Sequence, residues 1–247
     1  MSNLSTAKKS GKYAILIEVL VLWLVVNLLI RAAKMLYEMA NVHEAVLIIV
    51  PILFMYGPVL SCRLRGEDSN RYPITLPSFS ERNIWWDVWK YNALLIGVIT
   101  PPFLVVYHLW HTRVLGIEFQ GALPQGLWWE NVWTLLTIVG FHLFFVGIPE
   151  EFFYRGYIQS RLDQLWVPKV KWLGAPVGRS LIVTSLIFAF GHSIVEFQWW
   201  HFAIFVPSLA FGWLRAKTGD VMAGAFFHAW CNVLATVLEK LYGLSAW

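Results

Sequence analysis

Charge is scarce in this chain, and so is cysteine. Asp, Glu, Lys and Arg together make up 14% of the 247 residues, against 58% hydrophobic, and the mean hydropathy is +0.58. A soluble domain carries about a quarter charged residues, so this composition excludes that class and points to an integral membrane protein. Two cysteines, Cys62 and Cys231, lie in or beside separate apolar segments and give no close-spaced pair for a metal or redox motif, so both are expected to be buried thiols. Internal repeats, low-complexity tracts and flexible linkers are also missing, which argues for a single domain over residues 1–247. The net charge is +4, yet no basic run is interleaved with aromatics as single-strand binders require, and nucleic acid is not an expected partner. The basic start (Lys8, Lys9, Lys12) runs into an apolar stretch without a small-residue cleavage pattern, so it reads as a first anchor and not as a signal peptide.

Long apolar runs are what the chain has in abundance. They fall at about Ala14–Ile30, Ala45–Ser61, Tyr91–Trp110, Val132–Phe153, Leu181–Phe197, Phe202–Leu214 and Val221–Leu238. This predicts an all-α, polytopic transmembrane bundle of seven helices, or eight if a short run has been miscounted. An extra interfacial helix is expected between Gly156 and Ser180, and an ordinary loop over Arg63–Pro77.

Basic residues test the count, because cytoplasmic loops collect Lys and Arg. With the N-terminus inside, the inner segments carry Lys8, Lys9 and Lys12, then Arg63, Arg65, Arg71, Arg82 and Lys90, then Arg155, Arg161, Lys169, Lys171 and Arg179, and finally Arg215 and Lys217. The outer segments carry Arg31, Lys34, Arg113 and Lys240, only four of the nineteen. A wrong count would scramble that bias. Tryptophans at 85, 86 and 89, at 128, 129 and 133, and at 199 and 200 read as interfacial belts, where an indole sits at headgroup level.

Three polar groupings interrupt these runs. Charges at membrane depth cost roughly 2.5 to 3.5 kcal/mol each on insertion scales, so they are kept facing a partner or a wet cavity. In Pro149-Glu150-Glu151-Phe152-Phe153-Tyr154-Arg155, Glu151 and Arg155 stand one helical turn apart, acid before base, and can pair; Glu150, turned about 100° away, is left to face something else. A merely solvated helix end would also explain the cluster. In Phe188-Ala189-Phe190-Gly191-His192, a histidine follows a glycine that lets a neighbour approach, although a helix-to-helix hydrogen bond would account for a lone histidine. In His228-Ala229-Trp230-Cys231-Asn232, an imidazole and a carboxamide share one helix face about 6 Å apart. Together Glu150, His192, His228 and Asn232 make a parts list for amide hydrolysis: a base, a group to orient water and donors for an oxyanion.

Glu-Glu-x-x-x-Arg at 150–155, Phe-x-x-x-His at 188–192 and His-x-x-x-Asn at 228–232, in that order on successive helices, resemble the motifs of the CAAX-protease and bacteriocin-processing (CPBP, or ABI) intramembrane glutamic endopeptidases. The resemblance spans about residues 132–238, including a turn at Gly212–Asp220, and leaves residues 1–131 with no matching motif. It implies that Glu150 activates the attacking water, that His192 holds it, that His228 and Asn232 stabilise the oxyanion, and that Glu151 and Arg155 form an ion pair positioning Glu150. It also implies a membrane-anchored protein or peptide substrate; no cofactor is expected, and the expected place is the plasma membrane, with the N-terminus put in the cytoplasm by the bias of Lys and Arg. The form of the first motif is closer to prokaryotic members, with a lean towards removal of C-terminal sorting tails. Two alternatives stay open: a zinc protease using Glu150, His192 and His228 as ligands, and a non-enzymatic scaffold, immunity protein or transporter.

Overall fold

A computed structural model describes residues 11–39, 43–73, 82–121 and 132–244. The expectations for Lys8, Lys9, Trp128, Trp129 and the end of the 63–77 segment, together with the side chains of Arg82, Trp199 and Trp200, lie outside what it describes.

Among the described residues, seven helices follow the apolar runs. They are α1 Lys12–Met39, α2 Ile49–Leu64, α3 Arg82–Leu109, α4 Val132–Asp163, α5 Arg179–Val195, α6 Phe205–Thr218 and α7 Met222–Leu241. The spans that include α1, α2, α3 and α4 are long and apolar enough to cross a membrane. Helices α5 and α6 are shorter than a full span, as the sequence had indicated.

Several helices run past the apolar boundaries because polar residues at their ends find partners there. Helix α1 continues nine residues beyond Ile30, where Arg31 donates to the Ile194 carbonyl (2.8 Å) and Lys34 pairs with Glu196. Helix α4 continues ten residues beyond Phe153. Pro149 lacks an amide hydrogen, and the helix accommodates it with π-helical turns on both sides, at His142–Gly147 and Phe152–Gln159. The expected interfacial helix between 156 and 180 does not form. Its first third belongs to α4, and a hairpin follows, β1 Val170–Trp172 paired antiparallel with β2 Ala175–Val177. Its turn holds Leu173 and Gly174 at positive φ (49° and 78°), and two prolines, Pro168 and Pro176, break any helical run.

Contacts between helix ends define the two ends of the bundle. At one end Glu18 of α1 accepts from Arg65 (2.6 Å) and Arg161 (2.5 Å) and from the Tyr157 hydroxyl, while Asp163 binds Arg215 (2.6 Å) and Ser180. These join the start of α1, the end of α2, the end of α4, the start of α5 and the end of α6. At the other end α1 meets α5 through Lys34 and Glu196, and α3 meets α7 through His108 and Tyr242 (2.7 Å). The helices therefore alternate in direction, and basic side chains gather where the sequence put the cytoplasmic loops. Cys62 is buried, Cys231 half-buried, and both are free thiols. Of the belt tryptophans, Trp133 is 80% exposed and Trp86 and Trp89 are exposed, consistent with outward-facing indoles.

Candidate active site

Helix α4 brings two acids to the centre of the bundle, and the π-helical turns around them set which way each points. Glu151 and Arg155 are both fully buried and bonded at 2.8 Å. Arg155 also donates to the hydroxyl (2.5 Å) and carbonyl (3.2 Å) of Ser208 on α6, and its guanidinium carbon lies 4.3 and 5.1 Å from the ring centres of Phe188 and Phe211. A buried charge without a partner is costly, so this cage of acid, hydroxyl, carbonyl and ring faces is what permits the ion at that depth.

The pair has a third member that the sequence did not announce. Nδ1 of His228 lies 3.1 Å from Oε1 of Glu151, the same oxygen that Arg155 holds. A carboxylate only accepts, so Nδ1 carries the proton and Nε2 is turned away from Glu151. The imidazole is further fixed by stacking on Phe211 (centroids 4.7 Å apart, planes at 13°). Room for Glu151 comes from Gly224, where an added Cβ would stand 2.8 Å from Oε2.

Glu150 faces the other way, as its rotation on the helix predicts. Its Oε2 lies 3.9 Å from Nε2 of His192 and 4.0 Å from Nε2 of His228, and among the described residues it has no hydrogen-bond partner although it is buried. The ring of His192 is oriented like that of His228: Nδ1 donates to the Phe188 carbonyl at 2.9 Å, which leaves Nε2 towards the acid. A water hydrogen-bonded at about 2.8 Å to the acid and to one of the imidazoles would close an angle of roughly 90°, so the gaps are of single-water size.

Helix length brings Glu150 and His192 to the same level of the bundle. Glu150 stands thirteen residues before Asp163, His192 stands thirteen after Arg179, and Asp163 is hydrogen-bonded to Ser180. The end of α4 and the start of α5 thus lie level, and the two helices reach the site together.

Asn232 is placed differently. It lies one turn along α7 from His228, half-buried, and among the described residues no hydrogen bond joins it to the other three. Two residues outside the motifs do reach the site. Asn27 of α1 donates to the Tyr154 hydroxyl (3.4 Å) and to the Trp23 carbonyl (2.8 Å), and both side chains lie beside Gly191, where a Cβ would come within 2.6 Å of the Tyr154 oxygen. An amide within the apolar stretch between Glu18 and Arg31 of the first helix was the available signal. A cavity of about 410 Å³ begins here: Asn27, Glu150, Tyr154, Gly191 and His192 form its base. Among the described residues no three His, Cys, Asp or Glu side chains are disposed to hold a metal ion, the set of Glu150, His192 and His228 included.

Residues 131–234 match the family model described as type II CAAX prenyl endopeptidase Rce1-like. Over those residues the chain is similar to the Rce1-like family. No curated protein and no solved structure matches it. The Rce1-like segment contains Glu150, Glu151, Arg155, His192, His228 and Asn232, whereas Asn27 and the cavity wall on α1 and α2 lie outside it. The Rce1-like match, together with the four helices among the described residues that are long and apolar enough to cross a membrane, points to a membrane protein similar to the CAAX-type intramembrane proteases.

Proposed function

We propose that this protein is an intramembrane glutamic endopeptidase that hydrolyses a peptide bond in a membrane-anchored protein or peptide. One observation carries the reading: a buried carboxylate oxygen of Glu150, without a hydrogen-bond partner among the described residues, 3.9 to 4.0 Å from the outward nitrogens of two histidines. Buried polar atoms are normally satisfied, so a water or a substrate group belongs in that gap.

In this mechanism the water lies against Glu150 and the Nε2 of His192. Glu150 takes its proton as the oxygen attacks the carbonyl carbon, and the carbonyl oxygen becomes an oxyanion. His228, its Nδ1 proton held by Glu151, presents Nε2 to the same region and stabilises the oxyanion when doubly protonated. Asn232, unanchored and one turn away, supplies a second donor once substrate fills the site. As the carbon–nitrogen bond breaks, the proton on Glu150 passes to the departing amine, and the acid is again ionised. Arg155 cancels the charge of Glu151, so that the acid orients His228 without competing with Glu150 for the imidazole proton.

The setting we propose is the plasma membrane with a cytoplasmic N-terminus, with the whole chain acting as one domain. The substrates would be chains that end in a membrane-anchored sorting tail. A Glu150→Gln variant keeps the shape and removes the base. Loss of cleavage with unchanged folding supports the reading; retained cleavage removes it.

A further inference from the structure

Among the described residues, the active-site cavity extends from Glu150 away from the basic end of the bundle. Below Glu150, towards Asp163, the interior is filled: Phe153, Tyr154, Tyr157, Ile158 and Leu162 are each at most 1% exposed. Under them the cluster of Glu18, Arg65, Tyr157 and Arg161 ties α1, α2 and α4 together. Above Glu150 the cavity continues past Ile30, Val50, Phe54 and Val195 to a charged rim that includes Lys34, Glu38 and Glu196. Lys34 is seven residues beyond Asn27 on α1, so the rim stands about 10 Å above the site at helical rise.

We infer that substrate reaches this site from the non-cytoplasmic face of the membrane, and that the bond cut lies about 10 Å below that face. The side is fixed by charge. Arg65, Arg161, Arg215 and Lys217 gather at the sealed end, where excess Lys and Arg mark the cytoplasm, and the rim belongs to the end with fewer Lys and Arg.

The lining describes the occupant. Its upper wall is aliphatic and aromatic and its rim carries both signs of charge, with Lys34 shared between Glu38 (3.6 Å) and Glu196. That suits the outer end of a transmembrane segment, unwound to an extended strand as it leaves the apolar layer. A tail presented in the cytoplasm, such as a soluble protein's lipidated C-terminus, would meet the sealed end instead. The substrate class rests on the protease reading above; the sidedness does not.

Labelling with a membrane-impermeant maleimide tests it without any activity. In a background with Cys62→Ser and Cys231→Ser, single cysteines are placed at the rim (Glu38→Cys), in the cavity wall (Val195→Cys) and at the sealed end (Lys217→Cys). The full-length protein is then probed in right-side-out and in inverted membrane vesicles. Glu38→Cys and Val195→Cys are expected to react at least tenfold faster in right-side-out vesicles, and Lys217→Cys at least tenfold faster in inverted ones. Reaction of Val195→Cys from the inverted side, from both sides equally or from neither overturns the inference. Adding Glu150→Gln leaves the pattern unchanged, so an inactive protein with an outward cavity would refute the protease reading alone.

Discussion

Replacing Arg155 by Met isolates the part of the site on which the rest leans. The guanidinium is fully buried and makes one bond to Glu151 and two to Ser208. Methionine fills the stem's volume but leaves the Glu151 carboxylate in the interior with His228 as its remaining partner, and its Oε2 already has none among the described residues. Breaking a buried pair by removing one member costs about 3–5 kcal/mol, most of it the penalty of the stranded charge. Removing that charge as well should recover part of the loss. The double variant Glu151→Gln/Arg155→Met is therefore expected to be more stable than the sum of the single changes predicts, by about 1–3 kcal/mol. Reversible denaturation in mixed micelles, run on wild type, both single variants and the double, measures this coupling. If Arg155→Met falls within about 1 kcal/mol of wild type, or the two changes add, then Glu151 is not a buried carboxylate dependent on Arg155 and the argument for how His228 is oriented fails with it.

Gly224→Ala puts a methyl group 2.8 Å from Oε2 of Glu151 and should cut turnover at least tenfold while leaving detergent-solubilised protein folded; normal kcat in this variant would show that Glu151 can move without consequence. Strong chelators should leave activity intact and purified protein should contain no stoichiometric metal by elemental analysis, whereas reversible loss restored by zinc would favour the alternative ligand set. In the loop after α2, burial pushes the Glu67 carboxyl up, but hydrogen bonds from Arg65 and Tyr72 and the charges of Arg161 and Arg65 outweigh it and hold the group below the usual range. A lowered native value stabilises the fold above the unfolded value, near pH 4.3, and that contribution fades as pH falls through the native one. The stability difference between wild type and Glu67→Gln should therefore shrink between about pH 6 and about pH 3, and a difference that grows on acidification would contradict the sign.

The sequence and the structure agree where the physics is local. Apolar length marked all seven helices, the spacing of Glu151 and Arg155 marked their pair, and the rotation between adjacent residues turned Glu150 away from it. Non-local facts were not legible. Nothing in the chain order says that His228 reaches back to Glu151 across seventy-seven residues, or that α1 lends Asn27 to the site. The continuation of α4 to Asp163 was hidden because Gly156 to Asp163 is too polar to extend an apolar run and reads as the start of a separate interfacial helix. It is helical because its polar groups are met by Glu18, Ser180 and Arg215 from three other helices. The hairpin at 170–177 was missed because six residues of strand are too few to show a period against the surrounding aromatics.

The central claim is that Glu150 activates water, and cleavage in heavy-oxygen water tests it most directly. Wild type and Glu150→Gln are co-reconstituted in liposomes with peptides that carry one transmembrane helix and a basic tail, and the products are weighed by mass spectrometry. Wild type is expected to give two fragments with one heavy oxygen in the new carboxylate, and Glu150→Gln none above background; cleavage by Glu150→Gln at a rate near that of wild type would contradict the account.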